Sequence, residues 1–217
     1  MRILLLLLLF VGGSGAAAGQ PLAALPDIGA PDDKRIAAVA GQLQRGGSDF
    51  DRIFSELLAA VLQETATNAH VRLDDRIRSV FGGLWIWGTG PGRPALQRRQ
   101  DWALHFIGGG AFEGYWDAGT TAGLIKEQAD ARDPYNRYDL DDLTATMLGA
   151  RWVDLATTNS AAAARRWVQA WASRRLTINA SLPKLQFGQL PKGKQASAEA
   201  IVKVWRFVQD GMKPLPP

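Results

Sequence analysis

The chain has 217 residues, 47% of them hydrophobic and 21% charged, with a net charge of +4, eight tryptophans, two histidines and no cysteine. These are ordinary globular proportions, and the absence of cysteine excludes disulfides and a lipoprotein anchor. About 200 residues can bury a stabilising core without cross-links.

The N-terminus reads as a secretory signal over residues 1–19. Met1-Arg2 is a short positive start, Ile3 to Val11 is a nine-residue apolar run, and Ala16-Ala17-Ala18 fits a small-residue cleavage site. A bilayer-spanning helix needs about 20 apolar residues, so an uncleaved anchor fits less well. The expected location is therefore exported, periplasmic or envelope-associated, and not lipidated. Residues 20–31, rich in Pro, Ala and Gly, read as a flexible leader, and Lys213 to Pro217 as a tail.

Between these ends, residues 32–212 read as one all-α domain of about six to eight helices. Asp32-Asp33 can cap a helix carrying Ile36, Val39, Ala40 and Leu43, and Gly46-Gly47 ends it. Ser48 opens the clearest helix, with Phe50, Ile53, Phe54, Leu57, Leu58, Val61 and Leu62 at i, i+3, i+4 spacing, which marks a core stripe. A short helix is predicted over Asp74 to Phe81. Gly82-Gly83 and the run from Gly88 to Pro94 then predict a loop around Trp85-Ile86-Trp87, where the tryptophans either cap the core or anchor at a membrane interface.

Residues 101–157 thread polar groups through apolar helical sequence. A helix over Ala95 to Phe112 places Asp101 and His105 four residues apart on one face, where the carboxylate can orient the imidazole. Gly108-Gly109-Gly110 follows and signals either close approach of another backbone or a break. A second helix, Ala118 to Ala131, carries Lys126 and has Glu127 and Asp130 at i, i+3. Asp139 reads as the N-cap of a third helix running to Thr157, with Asp142, Thr146 and Gly149 along one stripe. Capping and dipole compensation alone would account for Asp139 and Asp142.

The order Asp101-x-x-x-His105-Phe106, Gly123-x-x-Lys126-Glu127-x-x-Asp130 and Asp142-Leu143-x-x-x-x-x-Gly149-Ala150 resembles the YfiM-like family of small bacterial envelope proteins. It is more distantly similar to the VanZ-like membrane proteins. The resemblance spans about 50 of the 217 residues. It implies an envelope location and a helical core, and it implies no established reaction. Trp102 stands where the family usually has lysine, and the lipidation cysteine common in the first family is missing.

The last third, residues 159–212, is basic. From Asn159 to Pro217 there are ten Lys or Arg against two acids, a net of +8, whereas Phe112 to Asp142 has a net of −5. One helix over Ser160 to Leu176 mixes Trp167 and Trp171 with Arg165, Arg166, Arg174 and Arg175. Another over Ala196 to Gln209 carries Trp205, with Lys192 and Lys194 in the loop between them. Such helices either bury their aromatics in a soluble core or meet an anionic lipid or cell-wall surface. Export removes nucleic acid as a partner.

Three functional readings follow. The first is a non-catalytic envelope protein in which Asp101, His105, Glu127 and Asp142 join helices, with Lys126 and Asp130 beside them. The second is a hydrolase of a lipid or cell-wall component, with His105 as base, Asp101 orienting it and Glu127 as acid or electrostatic partner. In the third, Glu127, Asp130 and Asp142 suit a hard divalent ion, although no metal-loop pattern accompanies them and no metal or cofactor is assigned.

Overall fold

Residues 49–88 and 94–216 are described in a computed structural model. They form eight helices: α1 (Phe50–Thr67), α2 (Leu73–Gly88), α3 (Gln100–Trp116), α4 (Gly119–Arg132), α5 (Leu140–Ala156), α6 (Ala161–Ala172), α7 (Ile178–Ser181) and α8 (Ala198–Gly211). No strand occurs among the described residues, and the helices make one compact all-α domain. The expected signal, leader and first helix over residues 32–43 lie outside the described residues.

The fold is organised around α5, most of whose residues are buried, as are those in the middle of α3. A helix enclosed on every side carries no polar stripe, which is why these two show little amphipathic period in sequence. The outer helices do show one. On α1 the predicted stripe is buried at Phe50, Ile53, Phe54, Leu57, Leu58 and Val61, and Leu62 is partly buried against the same core. On α6 Trp167, Val168 and Trp171 are buried, so its tryptophans belong to the core. Phe54, Phe81, Trp152 and Trp171 form an edge-on aromatic nest, with Phe54 and Trp152 centroids 5.0 Å apart.

Several boundaries differ from the sequence reading. The helix after residue 48 is capped by Asp49, whose side chain accepts from the Arg52 N–H at 3.1 Å. The expected loop at Trp85-Ile86-Trp87 is instead the last turn of α2, which runs through Gly82-Gly83, and Trp87 is fully buried. Burial of Trp87, Leu84 and Phe81 on one face outweighs the weak helix propensity of the glycines. Gly108-Gly109-Gly110 likewise stays helical within α3. It serves close approach and makes no break.

Two polar ties, one buried and one partly buried, hold the outer helices. Arg76 on α2 and Glu64 on α1 pair at 2.5 Å with side chains 5% and 13% exposed. Arg165 on α6 donates to the Leu62 carbonyl at 3.2 Å and the Thr65 hydroxyl at 3.4 Å. Near the C-terminal end of α1 a cation also complements the helix dipole.

Candidate functional site

The site forms where α3, α4 and α5 meet, and glycines decide how closely. A Cβ added at Gly109 would overlap the Thr146 carbonyl, and one added at Gly149 would overlap the Phe106 carbonyl. The backbones of α3 and α5 therefore touch at two reciprocal points. His105 lies one turn before Gly109, while Asp142 and Thr146 lie one turn apart on the facing helix. The backbone contact thus sets the imidazole directly against both.

His105 Nε2 is 3.1 Å from Asp142 Oδ2, and His105 Nδ1 is 3.0 Å from Thr146 Oγ1. The Thr146 hydroxyl in turn donates to the Asp142 carbonyl at 3.0 Å. Lys126 on α4 completes the cluster: its ammonium lies 2.7 Å from Glu127, 2.9 Å from Asp130 and 3.4 Å from Asp142. Glu127 is wholly buried, and its second oxygen accepts from the Asp139 N–H at 2.8 Å. One buried carboxylate thereby joins α4 to the start of α5.

Electrostatics follow from this geometry. Burial pushes the Asp142 carboxyl up, but the facing His105 and Lys126 more than offset it and hold it below the usual carboxylate range. Burial pushes Glu127 up against the pull of Lys126 and the Asp139 N–H, and its net displacement is upward. Lys126, despite the same desolvation, is held charged above its ordinary value by Glu127 and Asp142. One ammonium faces three carboxylates, so with a neutral imidazole the cluster is net negative.

The structure brings together His105, Lys126, Glu127, Asp130 and Asp142 from the residues singled out in sequence. Asp101 stands apart. It forms a two-pronged pair with Arg99, with Nε to Oδ1 at 2.9 Å, and Arg99 also lies over the Trp102 ring. The carboxylate that holds His105 comes from α5, because the crossing of two helices, not spacing along one, sets the distance. Thr146 is the member that sequence reasoning missed as a partner of His105. Its place in the Asp142, Thr146, Gly149 stripe was the available signal.

Asp139 and Asp141 have other tasks. Asp139 caps α5 through the Asp141 and Asp142 N–H groups and also accepts from the Gln189 side chain at 2.8 Å. Asp141 accepts from the Phe187 and Gly188 N–H groups at 2.8 and 3.0 Å, pinning the segment before α8. Of the basic residues expected to face a surface, Arg165 is spent on α1, and Arg174 donates to Ser55 at 3.1 Å. Arg166, Arg175, Lys192 and Lys194 are exposed.

Chemically, the cluster suits cation or proton binding better than general-base attack. Both His105 nitrogens are engaged, one by Thr146 and one by Asp142, and neither is left for a substrate. Thr146, only 5% exposed, is no accessible nucleophile. His105, Glu127 and Asp142 each offer one ligand atom, and these atoms all lie within 4.8 Å of one another. Comparisons of the chain with protein-family models, curated proteins and solved structures give no match.

Proposed function

We propose that this is an exported, envelope-associated helical protein whose basic C-terminal part rests on an anionic surface, while the His105 cluster joins α3, α4 and α5 beneath it. The observation that carries the reading is the outer face of α8. Val202 is 45% exposed and Trp205 51% exposed, with exposed Lys203 and Arg206 beside them. Apolar and aromatic groups flanked by cations are what an interfacial contact with anionic lipid requires.

Other observations support the same reading. The sequence of residues 1–19 has the pattern of a secretory signal, and the ordered motifs between Asp101 and Ala150 are similar to those of YfiM-like envelope proteins. No helix of the described residues is long and apolar enough to cross a membrane, so an association of this part of the chain with a bilayer would be peripheral.

Co-sedimentation with phosphatidylglycerol and phosphatidylcholine vesicles, at low and high salt, tests this. Binding is expected only to the anionic vesicles, weakening with salt as the Lys and Arg contacts are screened. Trp205→Ala is expected to reduce it several-fold. Equal, negligible binding to both vesicles at both salt levels removes the surface role.

A hydrolytic reading has a narrower support: the imidazole is held by a carboxylate, Asp142, and Lys126 reaches solvent with 34% of its side chain exposed. It needs Asp142 or Thr146 to release a ring nitrogen when substrate arrives.

A further inference from the structure

With a neutral imidazole, the hydrogen bonds around His105 leave its contact with Asp142 as one that a bound cation would complete. Thr146 donates its hydroxyl proton to the Asp142 carbonyl at 3.0 Å and so presents a lone pair to Nδ1. Nδ1 then carries the ring N–H, and the lone pair of a neutral imidazole sits on Nε2. That lone pair faces Asp142 Oδ2, itself an acceptor, at 3.1 Å. Two acceptors at this separation are held together only by a cation or proton between them.

Two further observations point the same way. The other oxygen of Asp142, Oδ1, is buried and accepts no hydrogen bond. Buried carboxylate oxygens without partners are costly, and a bidentate carboxylate–metal bond would satisfy this one. Glu127 Oε1 faces the same centre, fixed by the hydrogen bond from the Asp139 N–H to its second oxygen. A metal-bound imidazole normally donates its remote N–H to an orienting acceptor, and Thr146 is placed to be that acceptor.

We propose that His105 Nε2, Asp142 and Glu127 bind one divalent cation of the zinc class, with the Lys126 ammonium as the competing cation of the metal-free protein. One imidazole nitrogen with two carboxylates favours a borderline ion over Mg²⁺ or Ca²⁺, which prefer oxygen alone. Donors of a tetrahedral zinc site sit roughly 3.3 Å apart, so the trio, within 4.8 Å, must draw in modestly. Lys126 can leave without losing every partner, because its pairing with Asp130 at 2.9 Å lies on the solvent side, where both side chains are partly exposed. This site is independent of the envelope reading and stands or falls separately.

The test uses the full chain, stripped with chelator, then titrated with Co²⁺ while visible d–d bands are recorded and with Zn²⁺ by calorimetry. One equivalent is expected to bind with bands of nitrogen–oxygen coordination. His105→Gln is expected to weaken binding by roughly 100-fold or more, and Thr146→Val, which leaves all three ligands in place, by roughly tenfold. Lys126→Met, which removes the competing ammonium, is expected to bind about tenfold tighter. His70→Gln is expected to change nothing, and thermal melts of each variant confirm folding. Absence of binding by the natural chain overturns the proposal, as does equal binding by His105→Gln. Binding by Lys126→Met alone overturns it too, because the ammonium is then the resident cation.

Discussion

The imidazole of His105 and the carboxylate of Asp142 meet 3.1 Å apart on the seam where α3 and α5 touch backbone to backbone. Each side chain is mostly buried, 15% and 13% exposed. Removing one member of such a pair leaves the other desolvated without compensation. Asp142→Asn is expected to lower unfolding stability by roughly 2 to 3 kcal/mol in urea titrations.

The same residue gives a pH signature with a definite sign. Because the folded protein holds the Asp142 carboxyl below its ordinary value, its contribution is fully present above the unfolded value, about 3.9, and fades as pH falls through the folded one. The stability gap between the natural chain and Asp142→Asn should therefore narrow as pH falls below about 4. A gap that widens below about pH 4 would contradict the assignment.

Close helix contact makes a second prediction. Gly109→Ala and Gly149→Ala each force a methyl group into a facing carbonyl, and each should cost about 3 kcal/mol by overpacking. Gly188 is the control: its φ is +72° but nothing lies within 4 Å of an added Cβ. Gly188→Ala should cost only the left-handed backbone penalty, about 1 kcal/mol. Denaturant midpoints of the three variants separate crowding from backbone strain.

Two neighbouring arginines on α6 should behave differently. Arg165 bonds the Leu62 carbonyl and Thr65 of α1, whereas Arg166 is exposed. Arg165→Ala is expected to cost about 1.5 kcal/mol, and Arg166→Ala within about 0.5. On anionic vesicles the order should reverse, with Arg166→Ala weakening binding more.

A last prediction concerns the far end of the α3–α5 contact. Burial pushes the carboxyls of Glu113 and Asp154 up; Asp154 and Asp117 add to the rise at Glu113, Asp117 adds to it at Asp154, and the hydrogen bond from Glu113 opposes it there. Glu113 also accepts from the Gly119 N–H at 2.8 Å. Acids raised in the folded state are most favourable below their unfolded values, and the benefit is lost as pH rises through the folded ones. Asp154→Asn should thus flatten the loss of stability between about pH 4 and 7, by less than about 1 kcal/mol because both groups are half exposed. Thermal melts across that range check the slope.

The legible part of this fold was the part with a local cause. The α1 stripe, the Asp139 cap and the basic amphipathic α6 and α8 follow from residue spacing, since an outer helix must divide its faces between core and water. The turn at Trp85 and Trp87 was not legible, because burial of Trp87 overrides the glycines that locally favour a loop. Within the site, Lys126, Glu127 and Asp130 were readable as one group, being neighbours on one helix. The Arg99 pairing of Asp101 and the Glu113–Asp154 pair had no comparable signal.

By itself the sequence determined the inventory: an all-helical chain without cysteine, with one acidic stretch, one basic end, and an imidazole and carboxylates set into apolar helices. Tertiary structure alone decided which carboxylate His105 would meet. Asp101, four residues away on the same helix, turns to Arg99, while Asp142, from a different helix, reaches the ring. The physical reason is that a helix fixes only the direction in which a side chain leaves, whereas the glycine-mediated approach of α3 to α5 fixes what it finds there.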